Sequence, residues 1–224
     1  APTPEPAVVP EFGDYLFARA FTVCASIEDR RVVEVLAQTS EDICLGELLQ
    51  TYNRYNFGIR EEDYFRVIER KTASLFGSCC KLGALCAGSD AATAESLYQY
   101  GLNLGIAFQV MDDYLDIVGD EATMGKSLGT DLLKGKVTLP VILMLGSMDD
   151  AKRREAIDFI SSDGLHEKRK DIVRLLNEHQ VLDLSLERAS RFVERAKSHL
   201  TVLPESTFRE SMETLADFVV TRSH

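Results

Sequence analysis

Gly105-Ile-Ala-Phe-Gln109-Val-Met-Asp112-Asp113-Tyr-Leu-Asp116 places three carboxylates within five residues, inside an otherwise apolar helical pattern. On a helix Asp112 and Asp116 are one turn apart and face the same way, and Gln109, three residues earlier, joins that face. Leu104, Phe108, Met111, Leu115 and Val118 follow a 4-3-4-3 spacing and define a separate apolar stripe. One helix therefore presents a bundle core on one side and clustered acids on another.

Such a cluster destabilises its own helix unless a cation offsets the repulsion. Mg²⁺ suits the task, because it takes oxygen ligands and shares them with water and a substrate phosphate. A solvated acidic face is the plainer reading of an Asp-rich helix. Gly101 and Gly105 weigh against it, since each glycine costs a helix about 1 kcal/mol. Their position on the carboxylate side implies that something approaches closely there.

The 224 residues suffice for one domain with a substantial core, and the aliphatic, charged, Trp-free composition suits an all-helical protein. A net charge of −11 argues against a nucleic-acid surface and against electrostatic docking on anionic membrane. Cys24, Cys44, Cys79, Cys80 and Cys86 are odd in number and contain no C-x-x-C pair, so neither a disulfide framework nor a zinc site is suggested. The histidines lack metal-ligand spacing. The longest apolar run, Leu139 to Leu145, is too short to span a bilayer, and no signal-peptide pattern is visible. The location read from this is the cytoplasm, or an organelle if a targeting segment was removed.

Residues 1–12 carry four of the six prolines and read as a tail, a linker or a cloning remnant, with helical patterning starting at Gly13. Helices are predicted near 30–55 and 61–87, the second opening on Glu61, Glu62 and Asp63. Lys71 falls inside the core stripe of that second helix, with Thr72 beside it. An inward lysine is costly without a negative partner, although a snorkelling lysine at the stripe's margin is the plainer alternative. Gly88-Ser89-Asp90 reads as a stop and a new N-cap, followed by the acidic helix over 91–118. Residues 119–136 hold four glycines and three lysines, a composition that suits either a lid over polyphosphate or an ordinary surface loop. A short apolar helix from Thr138 to about Met148 and amphipathic helices near 149–161, 164–178, 181–200 and 205–222 complete the pattern, with Pro204 separating the last two. No strand alternation supports a sheet.

Gly119 to Ser127 superficially resembles a Walker A loop but is one residue too long, contains two acids and follows a helix rather than a strand. A better reading joins the pieces. Asp112 and Asp116 bind Mg²⁺, Mg²⁺ binds diphosphate, and Lys71 and Lys126 reach the same oxygens as point charges. Apolar helices around such a site point to a hydrocarbon substrate. Ionisation of an allylic diphosphate fits: cations stabilise the leaving diphosphate and a dry cavity protects the carbocation.

With these residues in place the sequence resembles the trans-type polyprenyl diphosphate synthases. The matching pieces occur in family order: Gly13-Asp14-Tyr15-Leu16, Gly46-Glu47 to Gln50, Lys71-Thr72-Ala73, F-Q-x-x-D-D-x-x-D within Gly105 to Asp116, Gly125-Lys126, and Gly129-Thr-Asp131 through Gly135-Lys136-x-Thr-Leu-Pro140. The resemblance covers residues 13–224, as the C-terminal part of a single synthase domain, and its C-terminal part looks most like octaprenyl and solanesyl synthases. It implies an all-α isoprenoid-synthase-type bundle around a central cavity, Mg²⁺ as cofactor, a homodimer, and condensation of isopentenyl diphosphate with an allylic prenyl diphosphate to a trans product. Position by position it implies that Asp112, Asp113, Asp116 and Asp131 serve the metal. It likewise implies that Lys71, Thr72, Gln109 and Lys126 are catalytic and bind the allylic substrate, with Lys136 a further substrate ligand. Glu47 and Gln50 would point to the same cavity, and Phe17 and Phe21 would line part of it. The family carries a first aspartate-rich motif upstream of the Gly-Asp-Tyr-Leu segment, and residues 1–12 hold none. The bundle is therefore expected to be incomplete at its N-terminal side, and these 224 residues alone to be inactive. Two other readings stay open: a non-catalytic or regulatory subunit of a heteromeric prenyl synthase, and a class I terpene cyclase.

Overall fold

The computed structural model describes residues 8–119, 129–162 and 168–222. Eleven α-helices occur among them: α1 (Val8–Ala25), α2 (Arg30–Tyr52), α3 (Glu61–Ile68), α4 (Ser74–Cys86), α5 (Ala91–Val118), α6 (Thr130–Leu133), α7 (Leu139–Gly146), α8 (Asp150–Ser161), α9 (Arg169–Glu178), α10 (Val181–His199) and α11 (Thr207–Thr221). No strand occurs among the described residues.

Side-chain caps start several of these helices where the sequence places them. Asp90 accepts from the Thr93 N–H at 2.7 Å, Asp149 from the Ala151 and Lys152 N–H groups, and Ser206 from the Arg209 N–H. Each supplies an acceptor to a donor that the first turn leaves without an intrahelical partner. α1 starts at Val8, upstream of the expected Gly13, and takes in Pro10. Proline is tolerated there because first-turn N–H groups need no intrahelical acceptor.

α5 is the axis of the molecule. Its buried residues include Leu104, Met111 and Leu115 from the predicted stripe, but also Ile106, Ala107, Val110 and Ile117, so apolar groups are covered around the helix. α4, α10 and α11 pack against it. Tyr100 donates to the Met212 carbonyl at 2.9 Å and Ser96 to the His199 carbonyl at 3.0 Å, fastening α5 to the C-terminal elements.

The predicted helix over 61–87 is interrupted by a π turn at Glu69–Ala73, between α3 and α4. The wider turn is held by its neighbours. A β-carbon at Gly46 would lie 2.5 Å from the Lys71 nitrogen, and one at Gly105 would lie 2.6 Å from the Ala73 α-carbon. The close approach inferred at Gly101 and Gly105 is therefore made by protein backbone: Gly105 meets Ala73, and Gly101 meets Phe76 and Gly77. Ser74 Oγ donates to the Arg70 carbonyl at 2.6 Å, satisfying an acceptor inside the turn.

α1 packs on α2 and leaves Phe12, Tyr15, Leu16 and Phe17 exposed. Phe17 and Phe21 meet each other edge-on, with centroids 5.0 Å apart, and neither lines the cavity described below. The expectation that they do is corrected here: α1 lies against α2, and Phe17 remains 52% exposed.

Gly105→Ala is expected to destabilise the fold by about 1–3 kcal/mol, because the added methyl overlaps backbone that cannot move independently. Gly83→Ala, where a β-carbon meets nothing within 4 Å, serves as control, and is expected to stabilise by up to about 1 kcal/mol through helix propensity. Urea denaturation of the two variants measures both.

Candidate active site

The π turn carries Lys71 and Thr72 to a cavity of about 400 Å³ whose opposite wall is the C-terminal half of α5. Lys71, Thr72, Gln109, Asp112, Asp113, Asp116, Asp131 and Lys136 all line it, so the structure gathers every described residue of the predicted site. Lys126 lies outside the described residues. Ile59, Val67, Ile68 and Val137 give the same cavity an apolar side.

Lys71 forms an ion pair with Glu47, and its ammonium donates to Gln50 Oε1 at 2.6 Å. The predicted negative partner is thus supplied by α2. Of the two α2 residues expected at the cavity, Gln50 lines it, while Glu47 is not among its lining residues and serves as the lysine's counter-ion. Thr72 Oγ1 donates to Gln109 Oε1 at 3.0 Å, and Gln109 Nε2 donates to Asp113 Oδ1 at 2.8 Å. Tyr64 donates to Asp113 Oδ2 at 2.7 Å. Asp113 is 4% exposed, and burial pushes its carboxyl up to about 7 against the opposing effect of these two donors. Burial, joined by the Asp113 charge, raises the Tyr64 hydroxyl well above its usual range.

The three aspartates of the helix occupy different environments. Asp112 is half-buried and lines the cavity, and its carboxylate makes no hydrogen bond or ion pair among the described residues. Asp116 is 3% exposed and accepts from the Asp131 N–H at 3.2 Å, while its own carbonyl accepts from the Gly129 N–H at 2.7 Å. These bonds bring α6 onto the end of α5. Asp131 in turn accepts from Lys136 Nζ at 2.6 Å. Burial works against the Lys136 charge, but the Asp131 hydrogen bond and charge outweigh it, and the ammonium pKa is raised.

Gly135 makes the reversal between Asp131 and Lys136 possible. Its φ of 76° lies in the left-handed region, and the Gly135 carbonyl accepts from the Tyr55 N–H at 2.7 Å. A β-carbon there would lie 2.6 Å from the Tyr55 ring.

Sequence reasoning did not single out Asn53 and Lys134, which line the cavity, or Arg222. Lys134 was visible as one of the loop lysines. Arg222 carried no signal: it arrives from the far end of the chain, places its guanidinium 4.0 Å from the Phe108 ring centre, and donates to the Phe108 carbonyl at 3.0 Å. Burial lowers its pKa, with the Asp112 charge opposing. Its Nε is buried with no hydrogen-bond partner among the described residues.

Several acceptor-only oxygens beside an apolar wall and ammonium groups suit a hard cation shared with a phosphate-bearing ligand. Among the described residues no three acidic, histidine or cysteine side chains are close enough to enclose an ion by themselves.

A family model described as polyprenyl synthetase matches residues 8–178, and the chain belongs to that family. It is 35% identical over 213 residues to the octaprenyl diphosphate synthase of Escherichia coli, covering 94% of this chain and 65% of that protein. It is 31% identical over 207 residues to heptaprenyl diphosphate synthase component 2 of Bacillus subtilis, covering 92% of this chain and 59% of that one. A crystal structure of polyprenyl synthase from Caulobacter crescentus, complexed with calcium and isoprenyl diphosphate, superposes with a TM-score of 0.85 at 36% identity, over 95% of this chain and 65% of that one. The fold is the all-α isoprenoid-synthase bundle that the sequence resemblance implied. The chain spans 59–65% of the length of these relatives.

Replacing Arg222 by alanine is expected to lower stability by about 1–2 kcal/mol, through loss of the aromatic contact and of a charge-assisted bond to a main-chain carbonyl. Thermal denaturation of the variant checks this.

Proposed function

We propose that this chain is the metal- and diphosphate-binding part of a prenyltransferase that condenses isopentenyl diphosphate with an allylic prenyl diphosphate. One observation carries the reading: ammonium groups from the π turn and from the segment after α6 share a single cavity with the carboxylates of α5. Asp112, Asp116 and Asp131 would hold Mg²⁺, whose charge would offset that of the departing diphosphate. Lys71 is paired with Glu47, and its ammonium can exchange that partner for a diphosphate oxygen. Lys136, held by Asp131, offers a second ammonium. Thr72 and Gln109 are hydrogen-bonded to each other and present fixed polar groups between the lysine and the carboxylates. Ile59, Val67, Ile68 and Val137 supply the dry wall that an allylic cation requires. Lys126 takes its place as a further diphosphate ligand from the sequence resemblance.

The reading extends to a homodimer in the cytoplasm. The exposed aromatic and aliphatic groups of α1 support association. No helix among the described residues is long and apolar enough to cross a membrane. A hetero-oligomer is the alternative assembly, favoured by the designation "component 2" of the Bacillus subtilis relative.

Calorimetric titration with inorganic diphosphate tests the site without a hydrocarbon substrate. Binding is expected only with Mg²⁺ present, and Asp112→Ala is expected to weaken it roughly 10- to 100-fold, the worth of one charged ligand. Binding that ignores Mg²⁺, or that survives the substitution unchanged, would overturn the proposal.

A further inference from the structure

The three aspartates of the D-D-x-x-D stretch have different bonding, and the middle one stands apart. Asp113 is buried, and each of its oxygens accepts from a different element: Oδ2 from Tyr64 of α3 and Oδ1 from the Gln109 amide of α5. The amide is fixed at its other end as well, because Thr72 donates to Gln109 Oε1. A hydroxyl can donate or accept, whereas a carboxylate can only accept. With both oxygens accepting, Asp113 sets the direction of the whole chain: its Oδ1 takes the Gln109 N–H, which turns the Gln109 carbonyl toward Thr72. The Asp112 carboxylate, by contrast, has no hydrogen-bond or ion-pair partner among the described residues.

We propose that Asp113 is a positioning residue that, together with Tyr64, fixes the orientation of the Gln109 side chain, and that it does not ligate the metal. This division of labour within the aspartate triplet rests on the Mg²⁺–diphosphate reading above. The anchor joins α3, the π turn and α5 through side chains alone, so it holds the two walls of the cavity at a set separation. A cation recruiting Asp113 would compete with a buried tyrosine hydroxyl and a half-buried amide for its oxygens, whereas the Asp112 carboxylate can be recruited without breaking a hydrogen bond.

Two measurements on the intact 224-residue chain test it. The first follows exchange of the Gln109 side-chain amide protons in the metal-free protein by NMR, the signal being assigned by its loss in Gln109→Leu. The amide is expected to be protected in the unaltered protein and to lose about tenfold or more of that protection in Asp113→Ala. Tyr64→Phe, a milder change that keeps the carboxylate, is expected to lose part of it. Equal exchange in all three proteins would overturn the proposal.

The second titrates inorganic diphosphate with Mg²⁺ into Asp112→Asn, Asp113→Asn and Asp113→Ala. Asparagine at position 113 can still accept from Gln109, with the Tyr64 hydroxyl turned to accept from its amide. Asp113→Asn should therefore restore most of the affinity that Asp113→Ala loses, while Asp112→Asn falls by about tenfold or more. Equal loss in Asp112→Asn and Asp113→Asn would make Asp113 a ligand and sink the proposal. Absence of Mg²⁺-dependent binding in the unaltered protein would instead remove the diphosphate reading, and the amide measurement would still decide the role of Asp113 in orienting Gln109.

Discussion

Backbone-to-backbone approach at two glycines is the constraint on which the site depends. Gly46 of α2 and Gly105 of α5 lie on either side of the π turn, so close that a methyl on either would overlap main-chain atoms. A regular helix through Glu69–Ala73 would bring each successive side chain round by its usual angle; the wider turn changes that phase just where the cavity begins. Lys71 and Thr72 both reach the cavity as a result. The conformational cost of glycine inside a helix is offset by packing that larger residues would forbid.

The same closeness explains how α5 tolerates buried acids. Asp113 and Asp116 are almost wholly shielded from water, which penalises their charged forms strongly. Each is compensated locally, Asp113 by Tyr64 and Gln109 and Asp116 by the Asp131 N–H. These compensating groups come from α3, α5 itself and α6. The acids are therefore also fasteners: they hold elements that are distant in sequence around one cavity. Asp112 remains available on the cavity wall, and the ammonium groups of Lys71 and Lys136 rest on carboxylates that a ligand can replace.

α1 and the outer side of α2 differ in character from the rest. Leu48 and Tyr52 of α2 share with the α1 aromatics an exposure that the central helices avoid, Tyr52 being 85% exposed. Isolated surface hydrophobics are ordinary, but a run of them along adjoining helices is the pattern of a surface that another chain or element covers. The molecule is firmly packed about α5 and apolar at its N-terminal flank.

The amino-acid sequence by itself determined the helical class, most helix limits to within a few residues, the Asp90 cap and the acidic stretch of α5. Those features follow from periodicity and local hydrogen bonding, which act within a few residues. It also singled out Lys71, Gln109 and the aspartates of α5, because charged and amide groups interrupting an apolar pattern stand out in one dimension, while Thr72 and Asp131 entered through the family resemblance. Only the tertiary structure decided what faces what. It showed that what approaches the glycines is protein backbone, moved Phe17 and Phe21 off the cavity, made Tyr64 the partner of Asp113 and brought Arg222 onto Phe108. Tyr64 and Asp113 are 49 residues apart, and Arg222 and Phe108 are 114 apart. No local pattern encodes such pairings; they arise when helices pack and buried polar groups find the partners that burial demands.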